Sequence, residues 1–220
     1  DFLKDRENDL KYLASMPFNE RTFYDFYKSK KGKVWYAKFY GKNILETKEE
    51  LPFYKEIAYI NEKGNEEILI KDGKIFKKDE LRDVSKKENT TYLIEDYFEK
   101  TKEMEQGEIY LSDIVGFAMT QKEQLKNYSL DEIKGGKKYN GVLRFSIPIY
   151  RDNKFKGILT LALDHIHLQE LSIHILPKIG YSVVFPSYQS GNYAFIFDKR
   201  GWIVTHPKYW DFPGVFKNGI

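Results

Sequence analysis

The residues whose types and spacing are best suited to chemistry are Asp164, His165 and His167. On a strand, the two histidines would share a face, where their imidazole nitrogens and the adjacent carboxylate could bind a metal ion. The apolar strand before them, however, is predicted to pass into a helix here, and side chains at positions i and i+2 diverge on a helix. We therefore predict no metal site at this point. His206, which precedes Pro207, fits a strand end and needs no chemical role.

Catalytic motifs are absent from the sequence. There is no Ser-His-Asp arrangement at a known spacing, no G-x-S-x-G, no P-loop and no G-x-G-x-x-G. The chain contains 0 cysteines, which excludes disulfides, thiolate zinc sites, iron–sulfur clusters and thiol nucleophiles. We therefore predict that this chain is not an enzyme, and we predict no cofactor.

Composition narrows the class of protein further. The 220 residues are 41% hydrophobic, which is enough to build a core. The formal net charge is only +3, and Lys and Arg alternate with Glu and Asp, so we predict no nucleic-acid partner. No apolar run approaches the ~20 residues that cross a bilayer, and no signal peptide opens the chain. The chain starts in a charged helical pattern and stops soon after a strand, so we expect a longer parent protein with membrane spans outside this segment.

Helical and strand patterns alternate along the first half of the chain. Apolar residues in 1–28 have helical spacing that Pro17 interrupts, which predicts either two helices or one kinked helix. Residues 34–39 fit a strand or more helix. Residues 55–76 read as strands joined by glycine turns, and 89–105 return to a helical pattern.

The most regular pattern lies in residues 141–164. Two strands are predicted about a tight turn at 152–154, with Phe145 on one face of the first strand and Arg144 and Ser146 on the other. The second strand is almost entirely apolar, which predicts a central strand buried on both faces. A helix over 165–176 and a hairpin about the turn at 198–201 follow.

In this order, the elements resemble the extracellular double-Cache sensor family, in which two PAS-like modules follow one long N-terminal helix. The segments with this resemblance are IAYINEKGNEEILI, IEDYFEKTKEMEQGEIYLSDI, GVLRFSIPIYRDNKFKGILTLALD and GNYAFIFDKRGWIVTHP. The resemblance implies an α+β fold: a long N-terminal helix, a PAS-like antiparallel-sheet module and the start of a second module. The implied domains are a helical stalk over 1–49, a membrane-distal Cache module over 50–176, a connector over 177–190, and an apparently truncated membrane-proximal module over 191–220.

The resemblance also implies a ligand site in the distal module, between the central sheet and the helix and loop that cross it. Aromatic rings would form its walls, and a few polar groups would orient the ligand. Mapped onto this sequence, the implied ligand-binding residues are Tyr97, Phe98, Tyr110, Ser112, Asp113, Arg144, Ser146 and Asp164. Several have structural alternatives. Tyr97 and Phe98 are adjacent, so at most one faces the pocket squarely; Arg144 could pair with a nearby acid, and Asp164 could cap the following helix.

One departure from the family pattern bears on the ligand. Amino-acid-sensing members have an Arg-x-aromatic-aromatic motif whose Arg receives the ligand carboxylate, and here Glu95 stands at the position of that Arg. Unless Arg144 substitutes for it, the resemblance disfavours an α-amino acid. A cationic ligand, a polar neutral ligand, or an organic acid bound by Arg144 stays open.

The function implied is extracytoplasmic small-molecule sensing in a transmembrane receptor, a histidine kinase first, with a chemoreceptor or diguanylate cyclase as alternatives. We expect an unidentified small-molecule ligand, a homodimer, and relay of ligand binding through the N-terminal helix. Two other functions stay open: an intracellular PAS-type interaction or cofactor module, and a small α+β hydrolase. The hydrolase predicts a cluster of perturbed titratable groups in one cleft.

Overall fold

The structure is a computed structural model that describes residues 1–40, 43–125, 138–172, 178–179, 182–183 and 194–216. The chain divides into two compact units, which are described separately. The first unit comprises Asp1–Lys31, Pro52–Val115 and Val142–Asp164. The second comprises Gly32–Leu51, Gly116–Gly141 and His165–Ile220.

Two helices open the first unit, α1 (Phe2–Ala14) and α2 (Glu20–Ser29). The Asn19 side chain caps α2 by accepting a hydrogen bond from the Thr22 backbone N–H at 2.9 Å. Pro17 lies between the two helices. Of the two alternatives that Pro17 left open, two helices or one kinked helix, the structure has two helices.

The helical stalk predicted over 1–49 is helical only as far as Ser29. Residues that follow form two paired strands, β1 (Lys31–Tyr40) and β2 (Asn43–Pro52). Residues 34–39, for which the sequence allowed either a strand or a helix, are therefore part of a strand. The sequence was ambiguous here because the short apolar run 34–39 fits either period.

An antiparallel sheet forms the body of the first unit, as the fold class predicted. Its spatial strand order is β5-β4-β3-β9-β8-β6. The strands are β3 (Tyr54–Asn61), β4 (Glu66–Lys71), β5 (Lys74–Ile75), β6 (Tyr110–Leu111), β8 (Asn140–Arg151) and β9 (Lys154–Asp164), and β7 is Val115–Phe117. β9 is central and is buried from Gly157 to Leu163, as its apolar sequence predicted.

Tight turns set the register of this sheet. Asp152 and Asn153, between β8 and β9, have φ values of 51° and 56°, as a two-residue type I′ hairpin turn requires. Gly157 in β9 has a φ of +136°, and a Cβ there would lie 2.0 Å from the Ile60 carbonyl oxygen. A side chain at this position would therefore push β3 and β9 apart.

The two faces of the sheet differ. On the helix face, α1 and α2 pack against β9, β3 and β4, and fully buried Ile57, Phe145 and Leu161 lie beneath them. The opposite face lies beneath helix α3 (Tyr97–Lys102), and we call it the α3 face. Its apolar cluster consists of Ala58, Ile60, Leu69, Val84, Tyr97, Phe98 and Ile158.

The second unit contains two short helices, α4 (Gln121–Leu125) and α5 (His165–Gln169), and the antiparallel pairs β10 (Lys178–Ile179) with β11 (Ser182–Val183) and β12 (Ile196–Phe197) with β13 (Ile203–Thr205). The last pair is the predicted hairpin, with its turn fixed by Asp198 Oδ1, which accepts hydrogen bonds from the Arg200 and Trp202 backbone N–H groups. Most of the connector predicted over 177–190, and 173–176 of the helix predicted after Asp164, lie outside the described residues. Short 3₁₀ helices are formed by Lys78–Glu80, Lys87–Asn89 and Tyr209–Asp211.

Candidate functional site

Arg144 is the centre of a buried ionic cluster on the α3 face. Its side chain is 1% exposed. Nε donates a hydrogen bond to Glu95 Oε1 at 2.8 Å, and Nη2 donates to Glu56 Oε2 at 2.9 Å. The Tyr97 ring covers the guanidinium, with Cζ 4.2 Å from the ring centroid. Several fixed, coplanar donors and stacking on an aromatic ring are the features that suit a guanidinium, rather than an ammonium, to this position between two carboxylates.

Sheet register brings Arg144 and Glu56 together. Both residues are paired with Ala162 of the central strand β9, Glu56 from one side and Arg144 from the other. Only a methyl side chain therefore separates them on this face, and the long arginine side chain reaches across it. Glu95 reaches the guanidinium from the loop before α3, since Asp96 is the residue preceding that helix.

Glu56 is the most extensively paired carboxylate in this cluster. Besides Arg144, it accepts a hydrogen bond from Thr91 Oγ1, and Lys71 Nζ lies 3.0 Å from its Oε1. Burial alone would raise the pKa of Glu56, but the charges of Arg144 and Lys71 and the hydrogen bonds from Thr91 and Arg144 lower it to about 2. Burial acts to lower the pKa of Arg144, but Glu95 and Glu56 raise it well above its usual value.

We call the four charged residues Arg144, Lys71, Glu56 and Glu95 the Arg144 cluster. It contains two cations and two carboxylates, so its formal charges cancel. One donor is left over: Arg144 Nη1 is buried and has no hydrogen-bond partner among the described residues. An unpaired buried donor costs about 1–3 kcal/mol, so the cluster has an unused capacity to bind an acceptor.

Comparisons with known proteins yield structural neighbours only. No family model and no curated protein sequence matches the chain. The ligand-binding domain of the Campylobacter jejuni chemoreceptor Tlp3, in complex with 4-methylisoleucine, matches with a TM-score of 0.50 and 16% identity, over 93% of this chain and 62% of that one. The extracellular domain of vpHK1S-Z8, a protein assigned as a histidine kinase, matches with a TM-score of 0.35 and 20% identity, over 54% of this chain and 36% of that one.

The Tlp3 match spans nearly all of this chain. The chain therefore shares the fold of the Tlp3 ligand-binding domain. The α+β class expected from the sequence, with helix at the N-terminus followed by a mainly antiparallel sheet, is confirmed. This chain spans less than two thirds of the length of either neighbour. No helix among the described residues is both long and apolar enough to cross a membrane.

In this fold, four of the predicted ligand-binding residues lie together on the α3 face. Tyr97 contacts the Arg144 guanidinium, whereas its neighbour Phe98 lies in the apolar cluster with Ala58 and Ile158. Ser146, fully buried, donates a hydrogen bond to Thr160 Oγ1 at 2.9 Å. The structure thus brings Tyr97, Phe98, Arg144 and Ser146 to one face; that they bind a ligand stays a prediction.

The other four predicted residues lie around this group. Tyr110 is half-buried beside the apolar cluster and donates a hydrogen bond to Asp96 Oδ1 at 3.3 Å. Ser112 Oγ accepts a hydrogen bond from the Arg144 backbone N–H at 2.8 Å, so it supports the strand next to the guanidinium. Asp113 is exposed. Asp164 Oδ2 lies 3.9 Å from Lys55 Nζ. The carboxylates that accept hydrogen bonds from the Arg144 guanidinium are those of Glu95 and Glu56, not those of Asp113 and Asp164.

Sequence reasoning missed Glu56, Lys71 and Thr91. One signal was present in the sequence: Glu56 is a charged residue in the otherwise apolar strand EIAYI, at an alternate position with Ala58 and Ile60. Buried carboxylates are almost always paired, so a glutamate at this position predicts a cationic side chain next to it. The sequence does not say which cation, because the choice depends on the register of three strands.

An open groove of about 900 Å³ lies elsewhere in the first unit. Its walls include Phe18, Tyr59, Glu66, Leu81 and Arg82, and none of the predicted ligand-binding residues lines it. Glu66 Oε2 accepts a hydrogen bond from the Arg82 backbone N–H, and burial raises the pKa of this carboxyl. The groove is wide and mixed in charge, whereas the Arg144 cluster is buried and ordered by hydrogen bonds, so we take the cluster as the candidate site.

The histidines considered as metal ligands lie in the second unit. His165 Nε2 is 2.8 Å from the Val204 carbonyl oxygen, and its ring packs edge-on against Tyr139 and Phe212. Burial lowers the pKa of His165 to about 4, so the ring is neutral at pH 7. Among the described residues, no group of three His, Asp or Glu residues is placed to bind a metal ion.

Proposed function

We propose that this chain is the extracytoplasmic small-molecule-sensing part of a transmembrane receptor, with its ligand bound at the Arg144 cluster. The observation that supports this most directly is a buried ionic cluster, covered by Tyr97, with one guanidinium donor unpaired. Buried charges cost stability that an apolar core would not lose, so their presence favours a binding role over a purely structural one. The Tlp3 domain, which has the same fold, is described with bound 4-methylisoleucine.

The proposal includes the organisation of the parent protein. The membrane-distal module would extend over 50–176, and the residues from 191 would begin a second module. We propose a homodimeric receptor, a histidine kinase first and a chemoreceptor or diguanylate cyclase as alternatives, anchored by membrane spans outside this segment. These parent types share one requirement, which is that ligand binding must move an element that leads towards the membrane.

A bulge in β3 offers a route for this movement. The pairing with β9 shifts between Tyr54 and Glu56, so Tyr54 faces the helices whereas Glu56 faces the Arg144 cluster. The Tyr54 hydroxyl donates a hydrogen bond to Asp9 Oδ2 of α1 at 2.7 Å, and Asp9 Oδ1 lies 2.6 Å from Lys30 Nζ. A displacement of Glu56 would therefore reach α1 through a strand segment of three residues.

Ligand binding is tested by a thermal-shift screen with amino acids, organic acids, amines and purines at millimolar concentration. A ligand that binds the folded state raises the melting temperature in proportion to ln(1 + [L]/Kd). We expect at least one stabilising compound whose effect is lost in Tyr97→Leu and kept in Tyr12→Leu, since Tyr12 is 55% exposed on α1. A screen without any stabilising compound, or a shift that survives in Tyr97→Leu, would contradict the proposal.

The relay is tested by hydrogen exchange of α1 with and without the stabilising compound. In the wild type, we expect the compound to change the protection of α1. In Tyr54→Phe, which lacks the hydroxyl that binds Asp9, the compound should bind with unchanged affinity but leave the exchange of α1 unaltered. Equal responses of α1 in both proteins would rule out this route.

A further inference from the structure

We propose that the Arg144 cluster selects uncharged ligands and that the ligand supplies a neutral oxygen acceptor, such as an amide carbonyl, to Arg144 Nη1. This inference rests on the proposed function and adds the chemical class of the ligand. A cationic, a neutral polar and an acidic ligand were all compatible with the sequence, and the charges of the cluster distinguish among them.

The guanidinium is already neutralised. Two of its three nitrogens donate to carboxylates, Nε to Glu95 at 2.8 Å and Nη2 to Glu56 at 2.9 Å. An anionic ligand at Nη1 would be a third carboxylate beside Glu56 and Glu95, with only Arg144 and Lys71 to balance the three. A buried charge without its own counter-ion costs several kcal/mol, so this arrangement disfavours an acid.

A cationic ligand meets the opposite difficulty. Both oxygens of Glu56 are occupied, one by Arg144 Nη2 and the other by Thr91 and Lys71. The second oxygen of Glu95 lies 3.3 Å from the Tyr92 backbone N–H, and that carboxylate already neutralises Arg144. Tyr97 offers no compensating negative charge because burial raises its pKa further above its usual value. An ammonium would therefore bring a third positive charge into a site with two carboxylates.

An uncharged acceptor satisfies the remaining donor without changing the net charge. Nη1 is buried, and the Tyr97 ring of α3 lies over the guanidinium. An acceptor can therefore reach Nη1 when α3 moves away from the sheet, which couples binding to a displacement of α3. The adjoining side chains of Phe98, Ala58 and Ile158 are apolar, so the rest of the ligand is expected to be small and apolar.

The test compares matched amide, acid and amine probes at pH 7 by calorimetry. Suitable sets share one skeleton: isobutyramide, isobutyrate and isobutylamine; benzamide, benzoate and benzylamine; nicotinamide, nicotinate and 3-(aminomethyl)pyridine. We expect an amide to bind at least tenfold more tightly than its acid and its amine, and to lose this binding in Tyr97→Leu. If an acid or an amine binds more tightly than its matched amide, and this binding depends on Tyr97, the inference about ligand charge is wrong but the proposed sensing function is supported. If no probe binds and the wider screen is also empty, the sensing function itself falls.

A charge-changing variant gives a second readout. Glu95→Gln removes one negative charge and leaves the cluster with a net positive charge. We expect the preference to move towards the acid probe by about tenfold or more relative to the amide. Glu99→Gln, an exposed position on the same helix α3, should leave the ranking of the probes unchanged. An unchanged ranking in Glu95→Gln, or an equal change in Glu99→Gln, would overturn the inference.

Discussion

The two faces of the central sheet are built from the same strands and solve different problems. In β8, Phe145 faces the helices and Arg144 faces α3, and both are fully buried. In β3, likewise, Ile57 faces the helices and Glu56 faces α3. The strands contribute mainly apolar side chains and aromatic contacts to the helix face, such as Phe18 against Tyr59 at 4.7 Å. The buried ion pair of that face, Arg6 with Asp9, lies on α1. On the α3 face, the strands themselves contribute the buried charges of Arg144 and Glu56, and each of these charges needs a counter-ion.

This difference separates packing from recognition. Apolar packing stabilises a sheet without requiring any particular neighbour, and volume-conserving exchanges cost less than about 1.5 kcal/mol. A buried ionic cluster is no more stabilising than an apolar core of the same shape, yet it fails badly when one partner is lost. Arg144 and Glu56 place buried charges on the strands of the α3 face, below a short helix, and this arrangement supports the proposal that a ligand binds on that face.

The largest expected effect comes from breaking the cluster at its centre. Arg144→Met keeps much of the side-chain volume but leaves Glu56 and Glu95 buried without their main counter-ion. We expect a loss of about 3–5 kcal/mol in the free energy of unfolding, measured by urea denaturation. Arg151→Met, an exposed position in the same strand, should change this free energy by no more than about 0.5 kcal/mol.

A compensating variant sharpens the same test. If the loss arises from uncompensated charge, the triple variant Arg144→Met, Glu56→Leu, Glu95→Leu should recover most of the stability, because it makes the α3 face apolar like the helix face. A triple variant that is no more stable than Arg144→Met would mean that the two faces do not differ in the way argued above.

Acid should weaken the α3 face selectively. The pKa of Glu56 is lowered from 4.5 to about 2 in the folded protein, so its carboxylate form stabilises the fold above pH 4.5. This contribution, about 3 kcal/mol, is lost as the pH falls from 4.5 towards 2. The difference in unfolding free energy between wild type and Glu56→Gln should therefore shrink over this window. A flat difference for Glu56→Gln over this window would contradict the assignment.

Much of this architecture could be predicted from the sequence because it depends on local pattern. Alternation in β8 placed Arg144 and Ser146 on one face, and Pro17 predicted the break between α1 and α2. The Arg144 partners could not be predicted, because Glu56 reaches Arg144 only through the register of β3, β9 and β8 around Ala162. The position of Tyr54 is also beyond sequence pattern, since a bulge moves it to the face opposite Glu56.

The smallest expected effect concerns a neutral pair on the α3 face. Ser146 donates its hydroxyl to Thr160 Oγ1 at 2.9 Å, and both residues are fully buried. Ser146→Ala leaves the Thr160 hydroxyl without this partner, and we expect a loss of about 1–3 kcal/mol in unfolding free energy. Ile147→Val, the next residue and on the helix face, should cost about 0.5–1.5 kcal/mol.

The double variant Ser146→Ala, Thr160→Val decides what this loss means. Replacing both hydroxyls by apolar groups of similar shape removes the unpaired donor and acceptor together, so stability should return to within about 1 kcal/mol of the wild type. Recovery would show that polar groups on this face are tolerated only in pairs, as the Arg144 cluster requires, whereas Ile147 on the other face needs no partner. If the losses of the single variants Ser146→Ala and Thr160→Val instead add in the double variant, each hydroxyl stabilises the fold independently. The conclusion that polar groups on the α3 face are tolerated only in pairs would then be wrong.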